Sequence, residues 1–192
     1  MLFSNNIWFK SLVFFLILSP VYFGCSSDKP LKPDVQAFRE QMIKDFNLLE
    51  SGLIPALEGD KPILAASEVI DDFMIELKNN NRKIFGISLL DTSGEYLTGF
   101  VIEDKTAGKL IKDKYKNMNF HSFEVVDRIV KSRKIIQERL YFQDARILAI
   151  GFPVIKDDDL LGILCFSFKS HEFEKKWGIS EKDFLEIDFE KM

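Results

Sequence analysis

Cysteine and histidine are scarce, with two of each in 192 residues. That excludes a disulfide scaffold and any Cys/His zinc cage within one chain. Charge of one sign is lacking as well: 26 Lys+Arg stand against 30 Asp+Glu, a formal net charge of −4. A nucleic-acid surface needs clustered Lys and Arg, so nucleic acid is not an expected partner. No Gly-rich phosphate loop, Gly-x-Ser-x-Gly elbow or His-Glu-x-x-His helix occurs. His121 and His171 have no metal-ligand partner at helical or hairpin spacing, and neither a metal nor another cofactor is expected. Asp157-Asp158-Asp159 lacks the alternating ligands and the Gly bend of a calcium loop, and reads as a solvated hairpin tip. Glu103-Asp104 and the trio Glu186, Asp188 and Glu190 sit in a loop and a tail, where acids are ordinarily solvated. An enzyme is not expected. What is present, 46% hydrophobic and 29% charged residues, is the balance of a folded domain rather than a disordered chain.

Only one long apolar run exists, Ser11 to Phe23, preceded by Lys10 and broken by Pro20. A membrane-spanning helix needs about 20 apolar residues, whereas the core of an export signal needs only about 7–15. Residues 1–24 are therefore expected to be a signal peptide. The run ends Val21-Tyr22-Phe23-Gly24-Cys25-Ser26-Ser27-Asp28. A small residue before a Cys at the end of an apolar core resembles the lipobox of bacterial lipoproteins. The resemblance implies cleavage before Cys25, transfer to its sulfur of a diacylglyceryl group carrying acyl chains such as palmitate, and a tether over 25–32. Tyr22 stands where that pattern usually has Leu. The alternatives are a plain cleaved signal and an uncleaved anchor, and all three place the remainder outside the cytoplasm. Lipidation implies attachment to a bacterial membrane on its periplasmic side. In that family an Asp directly after the Cys often marks retention in the inner membrane, so with Ser26 in that place the resemblance implies the outer membrane where the organism has one. Cys165, in the apolar run Leu161–Phe166, is then without a disulfide partner and reads as a small buried hydrophobe.

In the exported part, Val35, Phe38, Met42, Phe46, Leu49, Leu53 and Leu57 recur at steps of 3, 4, 4, 3, 4 and 4. That spacing is one stripe of an amphipathic helix. Pro33 suits its first turn, and Pro55 and Gly59 are expected to end or kink it. Its near-heptad spacing makes it a candidate seam for a homodimer, or a face packed on its own sheet. A second helix is expected over 61–78, with Asp60 as N-cap and a stripe of Ile63, Ala66, Ile70, Phe73, Met74 and Leu77. Beyond it, 83–91 and 96–102 read as a β-hairpin, because Asp91 can bond turn amides and Gly94 can take a positive φ. Short helices are expected near 107–115 and 122–131. Strands are expected over 134–142, 146–155 and 160–168, with connections too short for parallel crossovers. A turn at Gly178 and a short helix over 181–185 close the chain. Five antiparallel strands with helices gathered on one face make an α+β architecture.

At Ile87-Ser88-Leu89-Leu90-Asp91-Thr92-Ser93-Gly94, and at the hairpin Ala149–Val154 with Leu161–Leu164, the chain resembles extracellular Cache domains, the PAS-like sensor modules of bacteria. The resemblance implies a long N-terminal helix packed on a five- to six-stranded antiparallel PAS/Cache-like sheet, in a single domain over 33–192. It implies a small-molecule pocket between the sheet and the insertion that follows the second strand. It also implies a separate signalling protein as partner, since no second apolar segment or output domain is seen in this sequence. Along 134–142, Ile136, Glu138, Leu140 and Phe142 share one face and Ile135, Gln137, Arg139 and Tyr141 the other. The first set is expected to face a core. An Arg139 fork beside the Tyr141 hydroxyl could hold a small carboxylate. Arg146, Tyr96, Ser88 and Lys114-Tyr115 are further candidates for the pocket wall. The alternatives are a solvated edge with Arg139 and Tyr141 lying over the sheet, and a structural or protein-interaction lipoprotein with no ligand pocket.

Overall fold

The structure, a computed structural model, describes residues 32–79, 84–103, 109–118, 120, 123–142 and 145–190. The signal segment, Cys25 and nearly all of the tether lie outside the described residues, as do Lys83, Asp104, Ala107, His121 and the Gln143-Asp144 connection.

Two helices open the domain, α1 (Pro33–Glu58) and α2 (Pro62–Asn79). The periodic residues of α1 are its inner face: Val35, Phe38, Met42, Phe46, Leu49 and Leu53 are buried and Leu57 is partly so. The stripe therefore packs on the domain's own sheet and on α2. Pro55 sits inside the last turn, and the helix continues three residues beyond it. In α2 the buried set is Ala66, Ser67, Ile70, Phe73, Met74 and Leu77, whereas Ile63 is 49% exposed. The buried stripe therefore starts one turn later than its spacing implied. The Lys61 carbonyl accepts the Ala65 amide, so Lys61 rather than Asp60 is the residue that opens the helix.

Six strands follow: β1 (Gly86–Leu90), β2 (Tyr96–Glu103), β3 (Lys109–Lys112), β4 (Ile136–Phe142), β5 (Ala145–Lys156) and β6 (Asp159–Lys169). They form one sheet in the order β3-β2-β1-β6-β5-β4, antiparallel at every pairing. The β1–β2 turn is built as its residues dictate. Asp91 Oδ1 accepts the Ser93 and Glu95 amides at 2.8 Å each, and Gly94 takes φ 85°. The β5–β6 turn has positive φ at both Asp157 and Asp158, the two-residue type I′ pattern that matches strand twist.

Over its described residues, 109–115, the helix expected near 107–115 is not formed; β3 occupies 109–112 and a turn follows. A helix of nine residues is too short to be stable by itself. The same residues can instead bond the free edge of β2, with Val101 opposite Ile111 and Ile102 opposite Leu110. Lys109 and Lys112 are exposed on this new edge, where charge discourages further pairing. The later helix is present as α3 (Glu124–Ser132), and α4 (Ser170–Trp177) and α5 (Glu181–Leu185) complete the chain. Gly178, at φ 71°, turns α4 toward α5.

The sheet has a core on each face. On one, α1, α2, α4 and α5 cover Ile87, Leu148, Ile150, Phe152, Phe166 and Phe168. On the other, a smaller cluster joins α3, through Val125, Val126 and Ile129, to Leu90, Tyr96 and Ile163. Among the described residues no helix is long and apolar enough to cross a membrane.

Candidate ligand-binding site

The strand register aligns residues across the sheet on the α3 face. Ser88 pairs with Cys165, Cys165 with Gly151, and Gly151 with Ile136. In the next row Gly86 pairs with Ser167, Ser167 with Ala149, and Ala149 with Glu138. The centre of this face therefore carries Ser, Cys, Gly, Ser and Ala. Their strand neighbours Ile87, Phe166, Ile150 and Phe168 point to the helix face and are large. Small side chains on the floor leave room, and the α3 side does not fill it. A cavity of about 70 Å³ remains, floored by these residues with Leu90, Leu140 and Ile147, and roofed by Val125 and Val126 of α3 with Tyr115, Met118, Phe120 and Phe123.

The polar groups facing the cavity are few. Ser167 Oγ donates to the Gly86 carbonyl at 3.1 Å. The Ser88 hydroxyl has no partner among the described residues. Cys165 is touched by solvent only in part, and its apolar surroundings push its thiol up to about 12, so it stays protonated. Burial also raises the Tyr115 hydroxyl. Among the described residues no charged side chain lines the cavity, and no cluster of three His, Cys, Asp or Glu side chains could hold a metal.

The candidate residues divide between the two faces. Ser88 lies on the cavity floor and Tyr115 in its roof. Tyr96 backs the roof: its ring stacks on Phe120 at 6.0 Å, and its hydroxyl donates to Asp113 Oδ1 at 3.4 Å. Burial first, and then the Asp113 charge, raise the Tyr96 hydroxyl above its ordinary range. Arg139, Tyr141 and Arg146 are on the opposite face. Arg139 pairs with Leu148 and Tyr141 with Arg146, and Leu148 belongs to the helix-side core. Both guanidinium groups meet the Glu181 carboxylate of α5, at 2.5 Å from Arg139 and 3.4 Å from Arg146. They flank the Tyr141 ring at 5.8 and 5.7 Å. A Ser170 hydrogen bond, helped by the two arginines, lowers the Glu181 carboxyl below its ordinary value.

These residues latch the C-terminal helices to the sheet and do not reach the cavity. Strand parity puts Arg139 and Tyr141, expected as a carboxylate clamp or a solvated edge, on the helix face beside α5 and not at this cavity. The sequence signal for the cavity was present but unread. It is the alternation of small and large residues in Ala149-Ile150-Gly151-Phe152 and Cys165-Phe166-Ser167-Phe168.

Glu138 faces α3 from β4, and its Oε2 is enclosed without a hydrogen-bond partner among the described residues. Burial, then the nearby Glu124 charge, raise its pKa, while Arg128 and the Val125 amide act against the rise. A carboxyl raised in the folded state adds stability below its unfolded pKa, and that increment is lost as pH rises through the folded pKa. Glu138→Gln is therefore expected to raise Tm at pH 8, with the gain shrinking toward pH 4. Scanning calorimetry at the two pH values measures this, and an equal Tm at pH 8 would refute it.

No protein-family model matches the chain, and no curated protein matches it. Solved structures do. A domain of a sensory box/GGDEF family protein from Vibrio parahaemolyticus aligns with TM-score 0.62 at 14% identity, covering 78% of this chain and 60% of that one. The extracellular domain of a histidine kinase aligns with TM-score 0.59 at 14% identity, covering 78% of this chain and 57% of that one. The ligand-binding domain of the Campylobacter jejuni chemoreceptor Tlp3, in complex with L-valine, aligns with TM-score 0.54 at 13% identity, covering 81% of this chain and 69% of that one. The chain thus spans less than two thirds of the first two domains. At such identities the likeness is one of fold: a helix pair on a six-stranded antiparallel sheet, as in PAS/Cache-like sensor domains.

Proposed function

We propose that this chain is an extracytoplasmic sensor or adaptor module, held to a bacterial membrane by a lipid on Cys25, that binds a small molecule and is not an enzyme. The observation that carries the reading is the cavity between the sheet and α3. Mostly apolar cavities with a few placed polar groups are where such molecules bind. The neighbours in fold are sensory domains, one of them in complex with L-valine, which supports a ligand-binding role here. The small carboxylate expected from Arg139 and Arg146 loses its support, because both already serve Glu181. Signalling would pass to a separate membrane protein. A ligand would act only by favouring one of two states of the domain.

Two measurements on the full chain test this. The intact mass of the membrane-purified protein is expected to match residues 25–192 plus lipid, and a Cys25→Ser control is expected to lack the lipid. An unprocessed mass in both would refute the anchor. A thermal-shift panel of small acids, amines, alcohols and aromatics is expected to contain a hit. A ligand at 100 times its Kd stabilises by about 2.7 kcal/mol, a shift of several degrees. A flat panel would favour a structural lipoprotein instead.

A further inference from the structure

We infer that the cavity takes a small neutral molecule with an apolar body and one hydrogen-bonding group, and rejects zwitterionic amino acids. The inference rests on the ligand-binding reading above and names its ligand class. Three observations carry it. The described lining residues include no Lys, Arg, Asp or Glu, so an ammonium or carboxylate entering there would lose water without gaining a counter-charge. Stripping water from either charge costs more than so small a molecule gains by contact. The guanidinium groups that might have compensated lie on the other face, joined to Glu181.

The second observation is the one hydroxyl on the floor that has no partner among the described residues. Ser167 is already bonded to Gly86, and Cys165 is held as a neutral thiol. The Ser88 hydroxyl, beside Cys165 in the register, has no partner among the described residues. One hydroxyl matches one alcohol, carbonyl or ring N–H. The third is size. The volume of about 70 Å³ is about half that of the ~150 Å³ apolar cavity that admits benzene. A branched body of four carbons is therefore near the limit without movement of Met118 and Phe120 in the roof.

A matched series sharing an isopropyl group tests this: isobutanol, isobutyrate and valine, each titrated into the isotopically labelled full chain at pH 7. The amide resonances of Ser88, Gly151 and Cys165 are the readout. Isobutanol is expected to move them saturably, with a Kd on the order of millimolar for so few atoms. Isobutyrate and valine are expected to leave them unmoved at the same concentrations. Ser88→Ala is expected to weaken isobutanol about 3–10-fold, the loss of one hydrogen bond. Ala149→Leu, which fills the floor, is expected to abolish the response. Saturable shifts with valine but not isobutanol would overturn the ligand class and leave the binding module intact. No shift with any of the three would overturn both. Equal isobutanol shifts in wild type and Ala149→Leu, with that variant folded by its dispersed spectrum, would place binding elsewhere and overturn the inference.

Discussion

Phe38→Ala is expected to destabilise the domain by about 3–5 kcal/mol, the usual cost of removing a buried phenylalanine. For a chain of this size that is a fall in Tm of about 6–20 °C. Phe38 is 1% exposed and lies where four elements meet. Its ring stands edge-on to Phe168 of β6 at 5.7 Å, to Phe173 of α4 at 5.3 Å and to Trp177 at 4.8 Å, with Phe184 of α5 at 6.1 Å. Edge-to-face pairs add to the burial itself. Removing the ring leaves a void lined by aromatics that cannot collapse together, because each is fixed by a different backbone. The damage should be greatest at the C-terminal helices, whose buried Phe173 and Phe184 both pack against the Phe38 ring, because exposed ion pairs such as Arg139–Glu181 are worth little each. Leu48→Ala is the contrast. Leu48 sits on the same helix but is 54% exposed, and its loss should change stability by no more than about 0.5 kcal/mol. Urea titrations of both variants measure the difference. A Phe38→Ala cost under about 1 kcal/mol would mean that α1 does not dock as described.

Gly99→Ala is expected to cost about 1–3 kcal/mol, the range for an added methyl group in a tightly packed interior. A Cβ there would lie 2.5 Å from the Ile87 carbonyl oxygen, 2.7 Å from the Tyr96 hydroxyl and 2.9 Å from the Ser88 Cα. Two of those three are main chain of the neighbouring strand, which cannot turn aside as a side chain can. Relief requires β1 and β2 to part. The Gly99 amide donates to Asp113 Oδ1 at 3.2 Å, and the Gly99 carbonyl accepts the Asp113 amide at 2.8 Å, so the end of β3 would be pulled with it. Tyr96 would be driven toward Phe120 and so into the cavity roof. A weaker response of the Ser88 amide to isobutanol should accompany the lower stability. Gly59→Ala is the control, since a Cβ there meets nothing closer than 3.5 Å. Thermal melts of the two variants decide it. Equal Tm values would show that the strands are further apart than these distances state.

Several features of the domain are local, and for those the order of residues was sufficient. Seven apolar positions at steps of three and four made α1 recognisable, because a helix repeats its face every 3.6 residues whatever lies opposite. Asp91 and Gly94 specified their turn because the bonds they make close within five residues. Gly178 and the 181–185 helix were legible for the same reason: the Ser180 hydroxyl accepts the Asp183 amide three residues on. The segment 109–112 was not legible, since its state depends on whether a β2 edge 10 residues away is free to bond it. The functional face was not legible either. Alternation along β4 separates Arg139 from Leu140, but it cannot say which side receives α3 and which α5. That was decided by partners more than 40 residues distant, Glu181 among them. Likewise the sequence contains the small residues Ser88, Ala149, Gly151, Cys165 and Ser167, but they become a cavity only when strand register places them side by side. Local periodicity determined the elements of this protein. Register between distant strands, and the helix that covers each face, decided where its site lies and what chemistry lines it.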